Sequence, residues 1–142
     1  LLALAGLKRL HKTNVATAIL STDEILPAAA QGAIGIESRA HDDRVNALLA
    51  PLNDPPTQVR VTAERACLAI LEGSCRTPIA ALAEFQGAEL QGDMLRLRAL
   101  IAVPEGSKVY RQDATAAASD ARALGEQVRR KLKELAGPDF LP

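Results

Sequence analysis

The fold class is indicated most clearly by residues 94–103, which read MLRLRALIAV. From Leu95 onward an apolar side chain occupies every second position, and Arg96 and Arg98 fall on the alternate positions. Successive side chains of a strand point to opposite faces of a sheet. The run therefore predicts a strand with one buried face and one face that is more polar near its start.

Further strands and helices are predicted around this run. Residues 79–85 and 108–112 have strand character, and glycine-bearing turns separate them from the central strand. Helices are predicted over residues 57–71 and 119–136. Because each element has a single apolar face that another layer must cover, we expect an α+β domain in which a three-stranded antiparallel sheet is covered by helices.

Both predicted helices carry apolar residues at helical spacing. In the first, Arg60 and Glu64 fall on a different face from the apolar stripe, which we expect to face the sheet. That stripe consists of Val59, Ala63, Ala66, Cys67 and Ile70. The stripe of the second helix consists of Leu124, Val128, Leu132 and Leu135. Gly137 and Pro138 should end the second helix.

The N-terminal third has less regular patterning. A short helix is predicted over residues 4–11, with Lys8 and Arg9 near its end. Residues 31–36 are apolar and glycine-rich, which suits a buried strand or a crossover where the backbone passes close to another segment.

A domain boundary is predicted near Pro51. Asp42 or Asp43 should cap a short helix before it, and Asp54 with Pro55 is a start signal for the next helix. The expected domains are residues 1–50 and residues 51–142.

Composition excludes several classes of function. Seventeen basic and seventeen acidic residues give no net charge, and aromatic residues make up only 2% of the chain, so nucleic acid is not an expected partner. Two cysteines and two histidines match no zinc spacing, and no metal site is expected. The apolar N-terminal run is too short to span a membrane and lacks the basic flank of a signal peptide. Because two thiols alone do not make a secreted disulfide scaffold, we expect a cytoplasmic protein. Because the chain starts at Leu1 without an initiator Met, we expect it to be the interior of a larger one.

The residue most suited to covalent chemistry is Cys75. Residues 64–78 read ERACLAILEGSCRTP, and Cys75 follows Gly73, where the helix should end and the backbone should be exposed. Cys67 instead lies on the apolar stripe, where a cysteine behaves as a small hydrophobic residue. We therefore expect Cys75 to react and Cys67 to pack.

Three segments, in this order, resemble the porphobilinogen deaminase (hydroxymethylbilane synthase) family. They are AGLKRL at residues 5–10, LPAAAQGAIGIESR at 26–39, and TAERA, LEGSC and PI at 62–66, 71–75 and 78–79. The chain departs from the family at Ser74 and at Ala30, where the family usually has glycine. The resemblance covers essentially the whole chain as the C-terminal portion of the family.

The resemblance implies a fold and a reaction. Residues 1–50 would be the end of an α/β domain of the periplasmic-binding-protein type, with a crossover toward the first domain. Residues 51–142 would be the third domain. The whole enzyme would be a transferase of tetrapyrrole biosynthesis that joins four porphobilinogen molecules into linear hydroxymethylbilane.

The resemblance also implies site residues. Cys75 would form a thioether to a dipyrromethane cofactor, and Gly32 would allow that cofactor close approach. Arg9 and Gln31 would contact porphobilinogen and the growing polypyrrole chain, whose carboxylates suit an arginine. Lys8 is expected to be a surface charge, and for Arg39 an interdomain salt bridge is favoured over a carboxylate contact.

The catalytic aspartate of the family belongs to segments before Leu1, so no catalytic residue is expected here, and the chain alone should be inactive without the missing N-terminal portion of the same protein. Two alternatives remain open at this stage. One is a non-catalytic α+β ligand-binding or regulatory module. The other is a redox protein that uses Cys67 and Cys75.

Overall fold

A computed structural model describes residues 1–69, 78–87, 93–103, 105–137 and 140. The helices are α1 (Leu4–Arg9), α2 (Asp43–Leu49), α3 (Pro55–Leu68) and α4 (Ala121–Ala136). The strands are β1 (Ile79–Phe85), β2 (Met94–Ala102) and β3 (Val109–Ala117). Short 3₁₀ turns lie at Thr13–Val15, Ala50–Leu52 and Ala118–Asp120.

Within the described residues the strands form one antiparallel sheet in the order β1-β2-β3. Ala81 of β1 pairs with Ala99 of β2, which pairs in turn with Gln112 of β3. The predicted sheet and α+β class are confirmed. β3 continues to Ala117, beyond the predicted end at Gln112. Its second half is rich in alanine, which has little strand preference, so its sequence did not indicate a strand.

Helices α3 and α4 cover one face of the sheet and enclose the core. The inward residues of β2 are buried, as the alternation predicted, and they pack with buried residues of both helices. These core residues include Leu95, Leu97, Ile101, Leu124, Val128 and Leu132. Leu135 differs from the prediction, because at 51% exposure in the last turn of α4 it lies largely outside the core.

The two covering helices cross at Gly125 of α4. A Cβ atom added there would lie 2.2 Å from the carbonyl oxygen of Ala63 and 2.7 Å from Cβ of Ala66. Glycine is required because it lets the two helix backbones approach closely.

Helix starts follow the predicted capping signals. The Asp42 carboxylate accepts a hydrogen bond from Val45 N at 3.0 Å, and that of Asp54 accepts one from Thr57 N at 2.8 Å. Each side chain satisfies a backbone donor in the first turn of its helix. These caps set the start of α2 and of α3.

Of the two alternatives predicted for residues 31–36, a buried strand or a crossover, the buried strand is wrong. Ile34 is 92% exposed and Ile36 is 56% exposed. A strand needs a hydrogen-bonded neighbour, and among the described residues no strand pairs with residues 31–36. Residues 33–39 belong to no helix or strand and are exposed in this structure.

Candidate functional site

The predicted attachment cysteine, Cys75, lies outside the described residues, as do Gly73 and Ser74. The structure describes the chain up to Ala69, just after α3, and again from Pro78, just before β1. Cys75 therefore belongs to the connection between the end of α3 and the start of the first strand.

Cys67 is buried in the core, with no exposed surface. Burial raises the pKa of its thiol to about 11, and the Arg129 guanidinium opposes this with a smaller effect. A thiol with a raised pKa is protonated near neutral pH and is a poor nucleophile. The structural role predicted for Cys67 is confirmed.

Because the Cys67 thiol is buried, the free energy of unfolding should fall as the pH rises in the alkaline range. Ionisation of Cys67 is unfavourable in the folded state. The stability that the protonated thiol contributes is therefore fully present below pH 9 and is lost as the pH rises through about 11. We expect denaturant melts between pH 8 and 11 to show an extra loss of roughly 2–3 kcal/mol relative to Cys67→Ala. Equal pH dependence in the two proteins would contradict this placement.

Arg9 lies exposed in the last turn of α1 beside Lys8. Cations are favourable at this end of a helix. Within the described part of the chain, no hydrogen bond or ion pair joins Arg9 to Gln31 or Gly32. The structure thus presents Arg9 to solvent and does not bring these candidate residues into contact.

Gln31 and Gly32 lie in a pair of tight turns. Gln31 N donates to Ala28 O, and Ala33 N donates to Ala30 O, each at 3.1 Å. Ala30 has φ +59° and Gly32 has φ +84°, so both adopt left-handed backbone. At Ala30 this explains why glycine would suit the position, since a Cβ atom disfavours that conformation.

A groove runs between residues 29–38 and helices α2 and α3. Its volume is about 990 Å³, and Gly32, Ile34 and Ile36 line one side. Nothing lies within 4 Å of the Cβ position of Gly32, so the backbone there is open to a ligand. The charged lining consists of Asp54 and Arg65.

Glu64 is a residue of this region whose placement the sequence pattern did not predict. It is only 5% exposed. Its Oε2 accepts from Ala30 N at 2.6 Å and its Oε1 accepts from Ala83 N at 2.8 Å. Both partners are backbone groups, which leave no signature in the sequence, so helical periodicity alone placed Glu64 on a face away from the core.

Residues 22–30, here called the wrapping segment, run around the edge of β1. On the outer face of the sheet, the Arg98 guanidinium contacts Asp23 and donates to Thr22 Oγ1 at 2.9 Å. At the edge, Ala81 N donates to Pro27 O at 3.1 Å. At Ala30 the segment reaches the face of the sheet that the helices cover. Its bond from Ala81 N occupies a backbone donor that an edge strand would otherwise expose.

The described residues offer neither a metal-binding cluster nor a membrane-spanning helix. Across the described ranges, no group of three or more histidine, cysteine, aspartate or glutamate side chains is arranged to hold a metal ion. In those same parts of the chain, no helix has the length and apolar character needed to cross a membrane.

Comparison with known proteins identifies the family. Residues 58–134 match the family model described as "Porphobilinogen deaminase, C-terminal domain". The chain belongs to the porphobilinogen deaminase family. Residues 1–47 match a second model of the same family, described as "Porphobilinogen deaminase, dipyromethane cofactor binding domain". This deaminase family is a family of transferases, and it uses a dipyrromethane cofactor.

Individual deaminases are similar along nearly the whole chain. "Porphobilinogen deaminase" of Nitrobacter winogradskyi is 49% identical over 140 residues, which is 99% of this chain. "Porphobilinogen deaminase" of Paracoccus denitrificans is 50% identical over 139 residues, or 98% of this chain. The chain spans 43% of the length of each of these two relatives.

Proposed function

We propose that this chain acts as the C-terminal portion of a porphobilinogen deaminase. The whole enzyme would join four porphobilinogen molecules head to tail into hydroxymethylbilane. The observation that carries this proposal is the ordered match of residues 1–47 and 58–134 to two models of one family. The partner of the chain would be the N-terminal portion of the same protein.

Within this function, Cys75 would hold the dipyrromethane cofactor by a thioether. The cofactor, once bound, supplies the pyrrole to which the first substrate is added. A thiolate is a good nucleophile toward a carbon electrophile such as a pyrrole that has lost ammonia from its aminomethyl arm. Cys67 cannot take this role, because it is buried and its pKa is raised to about 11.

The groove beside Gly32 supports a cofactor contact at this residue. Its volume of about 990 Å³ is within the range of small-molecule sites, roughly 300–1,000 Å³. Open space at Gly32 suits a flat ring lying against the backbone, and the exposed side chain of Gln31 supplies an amide that can both donate and accept hydrogen bonds. We propose Gly32 as a cofactor contact and Gln31 as a substrate contact.

The acid–base chemistry is proposed to come from the N-terminal portion. Glu64 is a poor candidate for it, since both of its carboxylate oxygens already accept backbone hydrogen bonds. The chain alone is therefore expected to be inactive. We also retain the domain boundary near Pro51 and a cytoplasmic location as proposals, the latter because an attachment thiol must remain reduced.

The two alternatives differ in what they require of the cysteines. A redox pair of Cys67 and Cys75 would need a reactive Cys67, which its burial disfavours. A non-catalytic module would leave Cys75 unmodified. The family match favours the deaminase over both.

Arg9 is either a substrate contact or a surface charge, and a substitution distinguishes the two roles. In a full-length enzyme that contains this chain, Arg9→Leu should remove a charge-assisted contact to a pyrrole carboxylate worth roughly 1.5–3 kcal/mol, or about ten- to hundredfold in the affected step. Covalent intermediates with one to three added pyrroles should change in abundance, while the primer stays attached. Mass spectrometry of stopped reactions measures this ladder.

Lys8→Leu is the matched control, because Lys8 occupies the same helix turn. It should cost at most about 0.3–1 kcal/mol of stability and leave the ladder unchanged. If Arg9→Leu behaved as the Lys8 variant does, Arg9 would be a surface charge only.

A further inference from the structure

The Glu64 carboxylate joins segments that are distant along the chain. It lies in α3, and its two oxygens accept hydrogen bonds from Ala30, in the wrapping segment, and from Ala83, in β1. Thirty-four positions separate Glu64 from Ala30, and nineteen separate it from Ala83. One side chain thus fixes the mutual placement of a helix, a strand and the segment leading to Gln31.

Because Glu64 is buried, its carboxylate depends on these two hydrogen bonds. A carboxylate with 5% exposure has lost most of its hydration, so it needs strong partners. Among the residues that the structure describes, no cation pairs with Glu64, and the backbone N–H groups of Ala30 and Ala83 are its hydrogen-bond donors. Hydrogen bonds to a charged acceptor are short and strong, in keeping with the 2.6 Å distance to Ala30 N.

The hydrogen bond from Ala30 N to Glu64 lies at a residue with an unfavourable backbone conformation. Ala30 has φ +59°, a conformation that its Cβ atom disfavours. The next residue is Gln31, and Ala30 O accepts from Ala33 N to close the turn that contains Gly32. Holding the N–H group of Ala30 therefore holds the start of this turn.

We propose that Glu64 is a positioning residue that keeps Ala30 in its left-handed conformation and so fixes Gln31 and Gly32 relative to α3. Gln31 and Gly32 are the proposed substrate and cofactor contacts, so fixing this turn would also fix both contacts. The consequence for catalysis rests on the proposed function. The structural part does not, because it depends only on hydrogen bonds within this chain.

The structural part is tested by amide hydrogen exchange on the 142-residue chain. In the unmutated protein, the Ala30 amide should exchange as slowly as that of Ala83, because both bind one buried carboxylate. Glu64→Gln leaves a single acceptor oxygen, and its NH₂ group cannot accept. Exchange at Ala30, at Ala83 or at both should then accelerate at least tenfold. Glu126→Gln, on the exposed face of α4, is the matched control and should change neither amide.

The functional part is tested in the full-length enzyme. Glu64→Gln should retain the cofactor on Cys75 but slow pyrrole addition about tenfold. Adding Ala30→Gly should recover most of that loss, because glycine adopts the left-handed conformation without help. A carboxylate that serves only to bind the β1 edge at Ala83 would give no such rescue.

Each failure has a distinct meaning. Rapid exchange of Ala30 in the unmutated chain overturns the inference without any variant having to fold. Normal pyrrole addition in Glu64→Gln, or absence of rescue by Ala30→Gly, overturns its functional part while cofactor on Cys75 upholds the proposed function. An unmodified Cys75 in the unmutated full-length enzyme overturns the proposed function and leaves the exchange result standing.

Discussion

Cys75→Ser in a full-length deaminase containing this chain should abolish attachment of the dipyrromethane cofactor and reduce activity to background. A serine hydroxyl is almost entirely protonated at neutral pH, whereas a thiol near its usual pKa is a few per cent ionised and intrinsically more nucleophilic. The fold should change little, because the buried core of the described residues is formed by other side chains. Intact mass and circular dichroism of the purified variant measure the two effects.

Cys67→Ser is the matched control, since it makes the same chemical change at the other cysteine. It should keep the cofactor and lose stability, because it places a hydroxyl at a site with no exposed surface, at a cost of about 1–3 kcal/mol. Similar behaviour of the two serine variants would show that their roles have been assigned wrongly.

Gly125→Ala should destabilise the chain by about 1–3 kcal/mol, the range expected of an overpacked contact. In an exposed helix the same substitution would be favourable by about 1 kcal/mol. Here the added Cβ would meet the Ala63 carbonyl oxygen at 2.2 Å, and that backbone atom can move only if α3 and α4 separate. Urea denaturation of the chain measures the change.

Gly6→Ala provides the comparison for this effect. Gly6 lies in α1, and no atom lies within 4 Å of its Cβ position. The substitution should be neutral or slightly stabilising, because only helix propensity changes. If Gly125→Ala were as well tolerated as Gly6→Ala, the close crossing of α3 and α4 would be contradicted.

The sequence allowed the main elements to be predicted because their signals are local. Alternation in β2, the aspartate caps at Asp42 and Asp54, and the apolar stripe containing Cys67 each arise within a few residues. Backbone geometry and the burial of apolar surface are enough to turn these local patterns into a strand, two capped helix starts and a buried helix face. The family itself was recognisable from short motifs in the right order, and the family match agrees.

The remaining features depend on contacts between distant segments. Glu64 is buried because the backbone of Ala30 and of Ala83 comes to it, and no pattern of side chains reports this. The end of β3 was missed because alanines gain strand structure only from pairing with β2. Residues 31–36 were predicted to be a buried strand or a crossover from their apolar and glycine content, but burial of such a run depends on other segments, which the run itself does not specify.

Peptide mass spectrometry of the full-length enzyme shows directly whether Cys75 anchors a dipyrromethane. Trypsin leaves both cysteines on residues 66–76, whereas additional cleavage after Glu72 separates Cys67 from Cys75. We expect an added mass equal to two linked pyrroles on the Cys75 peptide, with Cys67 unmodified. An unmodified Cys75, the adduct on Cys67, or a disulfide between the two would contradict it.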